Sequence, residues 1–220
     1  MKRLIPVVIL LLAACGSPPP RLSGPALKPA ANPSAVIAAE LAFARLAQDK
    51  GQWTAFRATA APDAEMFVPQ RVRAQDWLRG RADPPVSVKW QPHRVWSSCD
   101  GSLAVTTGAW QRPGATGAFT TVWARQADGS YRWVLDHGQP LAAALPAPDM
   151  IEAKVADCAG RVAQVPATGA DTGQVIARDN TLIVGSTVAP DGARVVTVRL
   201  WTGTAHETVL EDRVSAEAAR

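Results

Sequence analysis

Between Val86 and His137, apolar and polar residues alternate with period two in four blocks, interrupted at Asp100-Gly101, Arg112–Gly117 and Asp128-Gly129. That alternation is the mark of strands with unlike faces. Asp-Gly is the strongest short hairpin signal, because both central residues of a type I′ turn need positive φ. The run therefore reads as an antiparallel meander with strands Val86–Ser98, Ser102–Gln111, Phe119–Gln126 and Ser130–Gly138.

Two-residue turns would fix the register. Asp128-Gly129 would set Ala124 opposite Trp133, Val122 opposite Leu135 and Thr120 opposite His137. Asp100-Gly101 would set Trp96 opposite Val105 and Arg94 opposite Thr107, and the looser Arg112–Gly117 connection would pair Gln111 with Ala118. One face would then carry Val86, Val88, Trp90, Trp96, Leu103, Val105, Val122, Trp133 and Leu135. Thr107, Ala109, Thr120 and Ala124 would leave a hollow among them. The other face would carry Trp110, Phe119, Thr121, Trp123 and Val134, a patch too aromatic to stay bare. A second subunit or the following segment should cover it.

Upstream the apolar period changes from two to that of a helix. Asn32-Pro33-Ser34 is a helix start, and Ile37, Leu41 and Ala44, with Val36, Phe43 and Ala47 beside them, predict an amphipathic helix over Ser34–Lys50 stopped at Gly51. Trp53, Phe56 and Ala60 predict a second helix ended by Pro62. Ala64–Val68 reads as a strand, and Ala74–Arg79 as a helical turn or two with Trp77 and Leu78 inward. The helix pair should cover the first sheet face. Beyond a linker at Pro140–Pro148, four strands are predicted at Gln174–Ala177, Leu182–Val188, Arg194–Trp201 and His206–Glu211, a small meander that should dock on the main sheet.

The first fifteen residues change the picture. Met1-Lys2-Arg3 followed by Leu4–Leu12 is a positive then apolar export signal, too short to span a bilayer. It closes on Leu12-Ala13-Ala14-Cys15, which resembles a bacterial lipobox. That resemblance implies that Cys15 becomes the lipidated N-terminus, and Gly16 in place of Asp implies sorting to the outer membrane, facing the periplasm. A plain signal peptide is the alternative. Residues 16–33 form a Pro-rich tether. The formal charge of +4 falls when Lys2 and Arg3 are removed, leaving 21 basic against 19 acidic residues. No basic stripe with interleaved aromatics argues for nucleic acid. With Cys15 lipidated, Cys99 and Cys158 remain, an even number in an oxidising compartment. A bond between them would close a loop of about 60 residues and contribute on the order of 4 kcal/mol; two unrelated buried thiols are the alternative.

Residues Ala35 to Gly138 resemble the nuclear-transport-factor-2-like (NTF2-like) superfamily in its SnoaL-like branch. The residues that carry this are Glu40-Leu41-Ala42-Phe43-Ala44, Gly51-Gln52-Trp53-Thr54-Ala55-Phe56, Asp63 to Pro69, Ser98 to Val105 and Asp128 to Gly138. The resemblance implies an α+β fold, a cone-shaped curved sheet wrapped around the N-terminal helices with a pocket at its open end, often dimeric through the sheet. It implies no single chemistry. The expected organisation is a leader over 1–15, the tether over 16–33, the NTF2-like domain over 34–140 and the β module over 149–215.

The candidate pocket residues are Trp90, Thr107, Ala109, Thr120, Trp133 and His137. His137 is the one candidate acid or base on that face, with no carboxylate beside it to orient it. Asp136 points the other way, towards Thr121, and Asp76 is more simply a solvated helix position. The single tyrosine, Tyr131, flanks a turn, which argues against an isomerase-type oxyanion hole. His93, His137 and His206 are scattered, so neither a metal nor a cofactor is implied. Three readings follow: a lipid-anchored periplasmic domain that binds a small apolar ligand without catalysis; a dimer or envelope scaffold using the face with Trp110 and Trp123; and a lyase, isomerase or hydrolase using His137.

Overall fold

The computed structural model describes residues 30–160, 162–163 and 172–218. The expected leader, the lipobox at Cys15 and nearly all of the tether lie outside them. Asn32 starts the first helix, α1 (Pro33–Lys50), its side-chain oxygen accepting from the Ala35 amide at 3.1 Å. Gly51, at φ +104°, turns the chain into α2 (Gln52–Thr59), and a Cβ there would overlap the Asp83 carboxylate. That carboxylate accepts from the Thr54 amide and hydroxyl at 2.9 and 2.6 Å, satisfying the start of α2.

The buried face of α1 is Val36, Glu40, Phe43 and Ala47, rotated from the expected Ile37–Leu41–Ala44 stripe, and Leu41 is 45% exposed. The rotation seats Phe43 edge-on against Phe56 and Trp90, each with ring centroids 4.8 Å away. Contact with two rings outweighs burial of one leucine. Ala60 begins a strand instead of extending α2, giving β1 (Ala60–Phe67), then β2 (Arg71–Arg73) and α3 (Ala74–Leu78).

The meander is β3 (Lys89–Ser97), β4 (Leu103–Arg112), β5 (Ala115–Arg125) and β6 (Tyr131–Leu141). β1 joins it parallel to β6. An unforeseen strand, β7 (Glu152–Val155), joins parallel to β3, so the sheet order is β2-β1-β6-β5-β4-β3-β7. The segment that follows forms an antiparallel sheet of β8 (Thr172–Ile176), β9 (Leu182–Val188), β10 (Arg194–Trp201) and β11 (His206–Val214). The fold is α+β, a helix pair in the hollow of a cone-like sheet with a second small sheet behind.

Two connections and one strand interior differ from the expected register. Pro113-Gly114 joins β4 to β5 tightly, pairing Gln111 with Thr116, a shift of two residues that keeps every side chain on its face. At Asp128-Gly129 the loop holds three residues, with Gly129 at φ +85° and the Gln126 amide bonded to the Ser130 carbonyl at 2.8 Å. Trp123, not Ala124, therefore faces Trp133, and a bulge restores Val122 opposite Leu135 and Thr120 opposite His137. A second bulge lies between Pro92 and Arg94, where Pro92 has no N–H for the ladder.

The bulges redistribute the two faces. Trp90 and Trp133 stay on the helix side, joined by Val95, Ala104 and Trp123. Trp96, Leu103, Val105, Val122 and Leu135 pack instead with Leu182, Val184, Val196, Val198 and Leu200 of the small sheet. The expected helix-facing set is thus split. The small sheet does dock on the main one, but over the face expected to line the hollow. Trp123, expected outward, is buried beneath α1. The face proposed for a dimer or scaffold therefore lies under the helices.

Cys99 and Cys158 form a disulfide with Cα atoms 5.3 Å apart. It ties the β3–β4 loop to the stretch whose Asp157 amide bonds the Trp201 carbonyl. At the opposite end Arg71 spans the sheets, donating to Glu65 and to the Ser186 carbonyl and hydroxyl at 2.9–3.1 Å. A Cβ on Gly173 would fall 1.5 Å from that guanidinium, so only glycine leaves it room.

Candidate functional site

A cavity of about 340 Å³ opens between the helix pair and one end of the meander. Phe43 and Phe56 enter it from the helices, Trp90, Trp110 and Phe119 from the sheet, and Phe67 from the end of β1. Exposed Arg112 and Pro140 border it. Trp110 lies across its neighbouring strands because residue 117 is glycine: a Cβ there would sit 2.4 Å from the indole. At Gly138 a Cβ would meet only the Trp110 Nε1, at 3.8 Å, so that position opens onto free space.

Two carboxyls stand in this apolar setting. Glu40 is fully buried and accepts from Trp90 Nε1 at 2.6 Å, from Trp123 Nε1 at 3.0 Å and from the Thr106 hydroxyl. Burial pushes its pKa up, against the pull of those three donors. Asp136, half-buried, lines the cavity and accepts from the Thr121 hydroxyl at 3.0 Å. Burial, opposed by that hydrogen bond and reinforced by the Glu40 charge, raises it to about 7. No cluster of metal-binding side chains occurs among the described residues.

Of the six candidate pocket residues, Trp90 and His137 border the cavity and the other four do not. Trp133 is buried, its Nε1 donating to the Thr59 hydroxyl at 3.0 Å. Thr107 and Thr120 face the small sheet, where Thr120 donates to Asp212 at 2.9 Å. Ala109 lies along a separate groove with Leu145 and Ala147. The reason is the same for all three: β4 and β5 present their even-numbered and odd-numbered residues, respectively, to the helices.

The His137 side chain is fully shielded and turned to the small sheet. Its Nδ1 accepts from Arg194 Nε at 3.1 Å, while Nε2 has no partner and stands 3.7 Å from Asp212. Burial first, and the Arg194 charge second, lower its pKa to about 3, so the ring is neutral. Its role is to hold the two sheets together, with Arg194 also donating to the Gly138 carbonyl at 2.7 Å.

Sequence reasoning missed Glu40 and assigned Asp136 away from the hollow. Glu40 carried a readable signal: it follows Val36 by four and precedes Phe43 by three, a lone carboxylate on one helical face. Asp136 was correctly matched with Thr121, but on a face expected to be the outer one.

The helix pair held in a bent sheet with one open end is the α+β, cone-like arrangement expected from the sequence. No family model matches the sequence, and no curated protein does. Among solved structures, the chain is similar to a candidate ketosteroid isomerase from Parabacteroides distasonis, with 16% identity and a TM-score of 0.40 over 53% of this chain and 98% of that one. An NTF2-like superfamily protein from Salmonella enterica shares 15% identity with a TM-score of 0.39 over 50% and 91%. An NTF2-like protein of unknown function from Silicibacter pomeroyi shares 17% with a TM-score of 0.37 over 50% and 99%.

Proposed function

We propose that this chain is a lipid-anchored domain on the periplasmic side of the outer membrane that holds a small, largely apolar molecule in its cone without transforming it. The observation that carries the reading is the cavity itself. Its volume lies at the lower end of the range for small-molecule sites, and aromatic walls with few polar groups are the usual makeup of such sites. The lipobox-like ending at Cys15 supports the anchor. Catalysis through His137 has no support in its surroundings, since the ring is neutral, sealed and engaged with Arg194.

Filling the cavity tests the proposal. Gly138→Leu would project into the open space beside Trp110 with little strain on its neighbours. On the unlipidated Cys15→Ala chain, free of detergent, the neutral dye N-phenyl-1-naphthylamine should bind saturably, and Gly138→Leu should abolish that binding while the melting temperature changes little. Equal binding by both proteins, or none by either, would overturn the reading.

A further inference from the structure

The cavity has an unusual electrostatic balance. Its inner wall holds a carboxyl, Asp136, whose hydrogen-bonding partner is the neutral Thr121 hydroxyl. The groups facing Asp136 from the surrounding elements bring no cation to it. α1 contributes Glu40, a second carboxyl, and α2 contributes neutral Gln52. β3 contributes Val88 and Trp90, and β1 contributes Met66 in register with Asp136. From β4 comes Arg112, exposed, with its guanidinium 5.9 Å from the Trp110 ring centroid. His137 and Arg194 belong to the opposite face and bond one another. An apolar ligand alone would leave the Asp136 carboxyl desolvated against hydrocarbon, which is costly for its charged form. An organic cation would supply the missing counter-charge. The aromatic wall is also the apolar surface that best accepts an ammonium group.

Resting on the binding function proposed above, we infer that the cavity selects organic cations, namely hydrophobic amines or quaternary ammonium compounds small enough for about 340 Å³, with the charged nitrogen beside Asp136 and the apolar part among Phe43, Phe56, Trp90 and Trp110. Bulk cations of high charge density stay hydrated and outside; a soft, apolar-substituted ammonium loses little on entry. Binding draws the Asp136 proton out into solvent, so affinity depends on pH even for a ligand that does not itself titrate.

Benzyltrimethylammonium and neopentylbenzene differ by exchange of the charged nitrogen for carbon and are near-identical in shape. Their dissociation constants for the full Cys15→Ala chain, read from tryptophan fluorescence, test the inference. At pH 8 the cation should bind at least about tenfold more tightly than the hydrocarbon, and its affinity should fall by up to about tenfold per pH unit below pH 7, while the hydrocarbon's stays level. In Asp136→Asn the preference and its pH dependence should both disappear with hydrocarbon binding kept. Should that variant not fold, the pH series on the unsubstituted site decides by itself. Hydrocarbon binding with no preference for the cation at any pH overturns this inference and leaves the cavity's binding role standing. Failure of both molecules to bind overturns the two together.

Discussion

Asp136 and Glu40 show how a single side chain takes its chemistry from its enclosure. An exposed aspartate loses its proton near pH 3.9, whereas Asp136 keeps it to about 7 because the charged form is poorly solvated. The native chain therefore binds a proton that the unfolded chain has released throughout the window from about pH 4 to about 7. Stability from this source is complete at the acid end and is lost as pH rises through 7, by at most about 1.4 kcal/mol per unit. Asp136→Asn cannot ionise, so its melting temperature should vary less between pH 5 and 8, meet that of the parent in acid and exceed it at pH 8. Parallel curves for the two proteins would contradict this assignment. Residue identity alone did not reveal the shift. Alternation separates the adjacent Asp136 and His137 on paper, but with the faces exchanged: Asp136 borders the cavity and the His137 ring turns to the sheet interface.

At the scale of elements the sequence was highly informative about what forms and less so about which way it faces. The meander, both main helices and the four late strands follow from period and turn residues, within a few positions of the observed ends. The faces do not follow, because one inserted residue inverts everything beyond it. Pro92 hinted at the first inversion, and the opposing Gly108, where a Cβ would lie 2.0 Å from the Gln91 carbonyl, completes it. The second arises from a three-residue loop at Gly129, which the Asp-Gly pair does not distinguish from a two-residue one. β7 was invisible for a different reason: four residues, all exposed, carry no alternation. The pairing of Cys99 with Cys158 needed no register, only compartment and count. Its bridge spans 59 residues of sequence and ties the β3–β4 loop to the segment that leaves β7. Reduction, or Cys158→Ser, should cost about 4 kcal/mol and lower the melting temperature by about 10 °C; a melt insensitive to reductant would mean that this segment stays in place without it.

For the molecule as a whole, the cavity's contents and the chain's address are separable questions. If Cys15 carries lipid, Cys15→Ala should move the protein from the membrane to the soluble fraction of the envelope while its fold and melting temperature stay the same. Retention in the membrane fraction would mean that something other than acylation holds it there. Neither outcome bears on the cone, whose first helix starts at Pro33, just after the Ala31 amide bonds the Cys99 carbonyl at 3.1 Å.

The main sheet is clad on both sides, by α1 and α2 on one and by the β8–β11 sheet on the other. A broad flat surface is thus unavailable to a visiting protein along its central strands. Any chain that extends either sheet must come alongside, at β2 or β7 of the larger or at β8 or β11 of the smaller. Recognition there would run through main-chain amides and carbonyls in ladder fashion, tolerant of sequence and sensitive to proline.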